Sequence, residues 1–164
     1  MASKNGTSLS ARWLTPTELE AWRSFIVVSR RVWEALDGDL SGHDLSISDY
    51  EILAHLSEAP DRMMRMSDLA AQAIMSRSRL SHRIKVMEKS GWVKRESCPT
   101  DKRGSFAVMT AKGWSAISAA APDHVISIRK RFMDHLTKSE EREIESIFKK
   151  VGERLREQEF SAEQ

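Results

Sequence analysis

The chain has 164 residues, a length that suits one domain or one domain with helical extensions. It is 40% apolar and 30% charged with only seven glycines and four prolines, which favours long helices over a many-stranded sheet. The net charge is only +2, no apolar run is long enough for a membrane helix, and the lone Cys98 excludes an internal disulfide. Since the start also lacks a secretory apolar segment, we expect a cytoplasmic protein without membrane association.

The N-terminal part predicts a polar arm followed by a long helix. Residues 1–12 are small and polar, a composition typical of a disordered arm. Thr15 can cap a helix, Pro16 suits the first turn and Glu18 completes a capping box. Apolar residues then recur at helical spacing, so residues 13–44 are predicted as a first helix and its loop.

Two shorter helices are expected before the most distinctive part of the chain. Ser48-Asp-Tyr-Glu51 has the pattern of a capping box and predicts the start of a second helix. Ser67 is predicted to cap a third helix, with Asp68 in its favoured first turn. A turn at residues 74–76 then leads into a basic segment.

The basic segment begins with an amphipathic helix over residues 76–91. Leu80, Ile84 and Met87 recur at i, i+4 and i+7 and form one apolar stripe, and Gly91 ends the helix. The opposite face and its flank carry candidates for contacts with base edges and phosphates: Ser78, Arg79, Ser81, His82 and Lys85. The stripe and the cationic face together predict a helix that packs on one side and binds on the other.

A short hairpin is predicted directly after this helix. Two β-like runs, residues 93–98 and 105–110, flank a turn rich in Pro, Gly and charge. A helix of this width fits a major groove, and a hairpin beside it can reach the neighbouring minor groove. The order of elements therefore predicts a winged helix-turn-helix.

Individual charges in this segment have distinct expected roles. Arg77 lies nearer the apolar side of the helix and is expected to meet a phosphate, whereas Arg83 is expected to pair inside the protein. At the hairpin tip, Lys102 is a candidate phosphate contact. Arg103 either enters a narrow minor groove or is held by Asp101 to shape the turn.

Positive charge is concentrated in this one segment. Between Arg77 and Arg103 there are nine Lys or Arg against three Asp or Glu, whereas the remainder of the chain is net negative. Such a distribution is typical of phosphate binding and indicates DNA as a partner. An exposed basic surface without function, and a helical interaction module that meets an acidic protein, are the alternatives.

The chain resembles the MarR-type regulators in an ordered set of motifs: Ser67-Asp-Leu-Ala, the segment Ser78 to Glu88, Gly91-Trp-Val-Lys-Arg95, Asp101-Lys-Arg-Gly and Val108-Met-Thr-x-x-Gly113. The resemblance covers nearly the whole chain. It implies a dimeric transcription factor, usually a repressor, that is released from its DNA by a small ligand or by oxidation. It also implies a small strand near residues 63–66 that completes the wing sheet, and a wing in which Asp101 holds Arg103 while Arg103 reaches the DNA.

The two ends of the chain predict a dimer. A fifth helix after Thr110 contains Pro122, where we predict a kink, and a sixth helix opens at Thr137. Residues 14–40 and 114–158 carry apolar stripes that must be buried, either within one chain or between two. Two-fold symmetric DNA sites favour two interleaved chains. The predicted interface residues are Trp22, Ile144, Ile147, Phe148, Val151 and Leu155.

The predicted fold is mainly α, with a winged helix-turn-helix lobe that has a two-stranded β wing, flanked by N- and C-terminal helices forming a dimerisation base. The expected partners are double-stranded DNA with a pseudopalindromic operator, a second copy of the chain and a small effector. The predicted divisions are 1–12 as arm, 13–44 as first dimerisation helix and loop, 45–112 as DNA-binding lobe, 113–160 as C-terminal dimerisation helices, and 161–164 as tail.

Two modes of regulation, ligand binding and cysteine oxidation, are open from the sequence. The resemblance implies a ligand that enters between the lobe and the base, with an aromatic or phenolic acid as the expected effector. The alternative is that the aromatic residues there simply form core. The candidate residues are Trp13, Trp22, Phe25, Arg30, His55 and Arg95. Alternatively, Cys98 is a redox switch, because nearby positive charge favours the reactive thiolate, or simply a small half-buried residue.

An enzymatic role has little support in the sequence. The five histidines are scattered, and one cysteine cannot build a thiolate metal site. No Gly-rich phosphate loop is apparent. We therefore predict no catalytic residues, no metal site and no cofactor.

Overall fold

The computed structural model describes residues 12–97 and 104–162. The elements in these ranges are α1 (Pro16–Leu40), α2 (Ile47–Glu58), β1 (Met63–Arg65), α3 (Met66–Gln72), α4 (Arg77–Ser90), β2 (Val93–Ser97), β3 (Ser105–Met109), α5 (Ala111–Arg131) and α6 (Lys138–Ala162). Short 3-10 turns lie at Ser41–His43, Pro60–Arg62 and Met133–His135. The fold is mainly α, as the sequence predicted.

One hydrophobic core joins α2, α3, α4 and the sheet with Leu40 at the end of α1 and with Ile117 and Ala120 of α5. The stripe of α4 formed by Leu80, Ile84 and Met87 is completely buried, as its helical spacing predicted. It packs in one cluster with residues such as Ile52 and Leu69 from the two preceding helices. These elements therefore close their own core within a single chain.

The strands form a three-stranded antiparallel sheet in the order β1-β3-β2. Val93 of β2 pairs with Met109 of β3, and Met63 of β1 pairs with Val108 on the other edge. The hairpin is the predicted two-stranded wing, and the third strand lies where the family resemblance placed it. The sheet thereby fixes the hairpin to the start of α3.

The predicted N-cap is correct for α1 and wrong for α2. α1 has the predicted capping box between Thr15 and Glu18. For α2 the prediction of Ser48 as the cap is wrong, since Ser46 caps the helix and exchanges bonds with Asp49. The shorter Asp side chain performs the role that the motif assigns to Glu or Gln.

The prediction that Ser67 caps α3 is also wrong. Strand β1 runs directly into the helix, which begins at Met66 with Arg65 at the cap position and no side-chain cap bond. Ser67 lies within the first turn, and its hydroxyl donates to the carboxylate of Asp68 at 2.9 Å. Continuity between strand and helix therefore replaces a local cap.

α5 joins the sheet to the C-terminal part. Thr110 caps it, and the helix runs through Pro122 without a break, which confirms one helix there; a kink stays a prediction. Gly113 in its first turn is enclosed, because a Cβ at this position would clash with the carbonyl oxygen of Trp92. This close approach explains the last glycine of the motif set.

The helices α1 and α6, called the arm helices below, are packed much less completely. α1 lies on α5, whereas α6 makes only sparse contacts with the rest of the described chain. Phe25 and Phe148 bring the two arm helices together with ring centroids 5.9 Å apart. Trp22 is still 54% exposed and Phe148 50% exposed. Within the described ranges, no helix combines the length and apolar character needed to cross a bilayer.

Candidate nucleic-acid interface

The outer face of α4 collects the predicted DNA-contacting side chains of the basic helix. Ser76 caps the helix by accepting from the amide of Arg79 at 3.2 Å, and Gly91 ends it in the left-handed conformation at φ 75°. Ser81 is half-buried, and the other predicted members of the helix are exposed: Arg77, Ser78, Arg79, His82 and Lys85. The structure thus brings these six residues onto one helix, and their contacts with DNA stay a prediction.

Arg83 has the internal partner that the sequence predicted. Its Nε donates to Asp49 Oδ1 at 2.6 Å, and its Nη2 donates to the same carboxylate and to Ser46 Oγ at 2.7 Å. Asp49 is 2% exposed, so this ion pair lies almost entirely out of water on its acidic side. The pair fixes α4 to the start of α2.

Arg95 braces the other side of the same helix. Its Nη2 donates to the Ser81 carbonyl oxygen at 2.6 Å, and its Nε lies 3.5 Å from a Glu88 carboxylate oxygen. These contacts join β2 to α4 within the predicted DNA-binding lobe. They place Arg95 beside α4, and its role in effector binding stays a prediction.

A cavity of about 330 Å³, called the basic notch below, lies between α4 and the base of the hairpin. Its lining residues are Arg65, Met66, Ser67, Arg77, Ser81, Arg95, Gly104 and Ser105. Sequence reasoning missed Arg65, which lies outside the basic segment. The pairing of Arg65 with Phe106 brings it there, and its guanidinium lies 5.3 Å from the Phe106 ring centroid.

A second polar hollow lies on the α2 side of α4 and has a volume of about 300 Å³. It is lined by Ser46, Ser48, Met75, Arg79, His82 and Arg83. Nearby, burial raises the pKa of Glu51, and the charges of His55 and Arg79 oppose that rise. His55 thus lies close enough to Glu51 on α2 to affect its pKa, and its role in effector binding stays a prediction.

An apolar cleft of about 560 Å³ lies between the arm helices and the end of α5. Its lining residues are Ser24, Phe25, Val28, Ser29, Val32, Trp33, Leu36, Phe132, Ile144 and Phe148. Of the six predicted effector residues, only Phe25 lines this cleft, and Trp22 stacks beside it at 6.0 Å. Trp13 is 87% exposed. The described chain does not bring the six residues into this one cleft: Trp13, Trp22, Phe25 and Arg30 lie on or just before α1, His55 lies on α2 and Arg95 on β2.

The predicted interface residues of the arm helices are apolar side chains that keep exposed surface. Ile144 is half-buried, and the rest are about half-exposed: Trp22, Ile147, Phe148, Val151 and Leu155. Arg30 on α1 is also exposed. An amphipathic helix with this much exposed apolar surface is typical of an interface.

Four predicted residues, Cys98, Asp101, Lys102 and Arg103, lie outside the described residues. Their roles in redox switching and in minor-groove contact stay predictions. Among residues 12–97 and 104–162, no group of three or more His, Cys, Asp or Glu side chains could hold a metal ion.

Known proteins similar to this chain share its architecture. The MarR family profile matches residues 43–104. AbsC, a MarR family transcriptional regulator from Streptomyces coelicolor, is 44% identical with a TM-score of 0.86, covering 89% of this chain and 99% of AbsC. Sco3205 from the same organism, solved in complex with DNA, is 40% identical with a TM-score of 0.85, covering 87% of this chain and 91% of Sco3205. The transcriptional regulator HosA of Escherichia coli O111:H- is 27% identical over 108 residues, which are 66% of this chain and 78% of HosA.

Proposed function

Because the chain belongs to the MarR family of transcriptional regulators, we propose that it represses transcription as a homodimer bound to a pseudopalindromic operator. Membership of a regulator family agrees with the prediction of a non-enzymatic protein. The proposal concerns how this chain performs the family's role. It rests on the outer face of α4, on the arm helices and on the similarity to Sco3205, which was solved with DNA.

The observation that carries the proposal is the braced, cationic outer face of α4. Arg83 fixes the helix to α2, and Arg95 fixes it to β2. Its inner stripe is fully buried, so the exposed face has one orientation. A helix held in this way can enter a major groove without a further ordering cost, and Arg and Lys there can read guanine or contact phosphates.

The arm helices support the dimeric part of the proposal. Their exposed aromatic and aliphatic side chains need a partner surface, and a second copy offers an identical one through two-fold symmetry. We assign residues 45–112 to the DNA-binding lobe, and residues 13–44 and 113–160 to the dimerisation base. Two lobes joined through one base would present two α4 helices to one face of DNA.

Release by a small ligand is the regulatory part of the proposal. The apolar cleft between the arm helices would accept an aromatic ring, and its lining residues include no charged side chain. A neutral phenolic ring therefore fits this cleft better than an aromatic carboxylate, whose charge would lack a counter-ion. Ile144 and Phe148 are also proposed interface residues, so a ligand in this cleft would bind at the dimer base and alter the spacing of the two lobes.

Genomic DNA capture followed by sequencing tests the proposed function. The wild-type protein should enrich a small set of two-fold symmetric sites. Arg79→Ala combined with Lys85→Ala should lose this enrichment, because both cations are exposed on α4. The control combines Arg142→Ala with Lys149→Ala on α6, which removes the same charge and should leave the sites unchanged. Absence of a shared motif, or equal loss in the control, would contradict the proposal.

A further inference from the structure

The three arginines that line the basic notch come from three separate elements. β1 contributes Arg65, α4 contributes Arg77 and β2 contributes Arg95. Hydroxyl groups from α3, α4 and β3 complete the lining: Ser67, Ser81 and Ser105. No Asp or Glu is among the described lining residues, although Glu88 contacts the Nε edge of Arg95. Guanidinium and hydroxyl groups around one small cavity are the donors that bind a phosphate.

Arg95 is already oriented for such an acceptor. Its Nη2 donates to both the carbonyl oxygen and the hydroxyl of Ser81, at 2.6 Å and 3.3 Å. A guanidinium has five N–H donors, which is more than Ser81 and Glu88 use. The side chain is 33% exposed, so its remaining donors can be reached from the cavity. A phosphate would therefore meet a preformed donor group.

The position of the notch identifies its occupant. If α4 enters a major groove and the hairpin reaches the neighbouring minor groove, one sugar-phosphate backbone must pass between them. The notch lies between these elements, with Arg77 and Ser81 on the α4 side and Gly104 and Ser105 at the base of the hairpin. We propose that the basic notch binds a phosphodiester of the DNA backbone that separates the two grooves.

This inference rests on the proposed function and deepens it. Arg65 and Arg95 would then contact the DNA backbone and position the protein on its duplex, although neither belongs to α4. Phosphate contacts of this kind fix the register of a protein on its duplex without reading the sequence. Loss of one notch contact should therefore weaken binding to operator and to unrelated DNA alike.

The chain offers a matched pair of arginines for the test. Arg65 lies over the Phe106 ring and lines the notch, whereas Arg62 lies 3.8 Å from the Trp114 ring centroid and does not line it. Arg65→Gln and Arg62→Gln remove the same charge and the same type of ring contact, three residues apart. Arg65→Lys retains the charge and should recover most of the salt dependence.

The measurement is fluorescence anisotropy across a salt series, with the captured operator and with a scrambled duplex. In Arg65→Gln, the slope of log affinity against log salt should become shallower by about 0.9 for each notch, on both duplexes. Arg62→Gln should retain the wild-type slope. An Arg65→Gln slope equal to that of the wild type, with operator binding retained, would overturn the notch proposal alone. A wild-type protein without operator selectivity would instead overturn the proposed function.

The first part of a second measurement uses only the wild-type protein and so does not depend on how Arg65→Gln folds. Operator duplexes that each carry one neutral methylphosphonate are bound to the wild-type protein. One position in each half-site, between the contacted major and minor grooves, should lower the affinity several-fold. Arg65→Gln should lose less affinity at that position than the wild type, because the charge contact is already gone. Uniform affinity across all inter-groove positions would overturn the proposal.

Discussion

The DNA-binding lobe and the arm helices use the same amphipathic pattern with opposite outcomes. In the lobe, Leu80, Ile84 and Met87 of α4 have no exposed surface. On the arm helices, Trp22 and Phe148 keep about half of their surface exposed. The lobe therefore satisfies its apolar stripe within one chain, whereas the arm helices need another surface. An apolar stripe in a sequence predicts burial, and its place in the fold decides what covers it.

The lobe and the arm helices also differ in where their polar contacts lie. In the lobe, the Arg83–Asp49 pair is largely buried between two helices. Near the arms, Asp39 of α1 accepts from Ser127 and Arg131 of α5, with the Arg131 Nη2 at 2.7 Å. These hydrogen bonds lower the pKa of Asp39. One pair orients a binding helix, and the other holds α1 against α5.

The largest effect is expected from a substitution on the arm helices that disrupts the dimer. Phe148→Asp would bury an unpaired charge in the proposed dimer base, at a cost of several kcal/mol. Two-fold symmetry places this charge in both chains, so the cost applies twice. Sedimentation should show a monomer with a folded lobe. Ser146→Asp, which adds the same charge at an exposed position on α6, should remain a dimer. A stable dimer of Phe148→Asp would refute the placement of this interface.

The next effect tests whether the lobe is self-sufficient. Ile84→Ala should lower the free energy of unfolding by about 2–5 kcal/mol, because it leaves a cavity in a closed core. Ile147→Ala, made in the monomeric Phe148→Asp protein, should change it by less than about 0.5 kcal/mol. Urea unfolding measures both. Equal losses would show that the arm helices also close a core within one chain.

A smaller effect concerns the turn between α3 and α4. Ile74 is 91% exposed and has φ 51°, a left-handed conformation that is costly for a β-branched residue. Ile74→Gly should therefore raise the free energy of unfolding by about 1 kcal/mol, after allowing for the greater entropy of glycine in the unfolded chain. Thermal unfolding checks the sign, with Ile74→Ala as a control that keeps a Cβ. A destabilised Ile74→Gly protein would contradict this origin of strain.

The smallest effect is a change of stability with pH. His124 packs on Tyr50 with ring centroids 4.1 Å apart, its Nδ1 has no hydrogen-bond partner in the described structure, and burial lowers its pKa. The unfolded chain therefore takes up the proton first, and stability should fall as the pH drops below about 6.5. His124→Phe should flatten this dependence, whereas exposed His82→Asn should not. Unfolding curves at several pH values would show an unchanged dependence if His124 has no part in it.

The sequence predicted the elements whose signals are local. The stripe of α4, Gly91 and the box at Thr15 depend on neighbouring residues, and the structure confirms them. Arg65 reaches the notch only through the pairing of β1 with β3, which no local pattern reports. The bond of Arg95 to Ser81 also spans two elements and has no local signal in the sequence. Contacts that form by convergence of distant segments were thus the ones that the sequence patterns did not reveal.

We propose that the arm helices join two lobes, so that two α4 helices bind one symmetric DNA site. The most direct test is the stoichiometry of the protein–operator complex, measured by sedimentation on a full operator and on a duplex with a single half-site. We expect two chains on the full operator, with half-sites about one helical turn, roughly 34–36 Å, apart. We also expect a large loss of affinity on the single half-site. One chain per operator, with undiminished affinity for the half-site, would refute the proposed dimer.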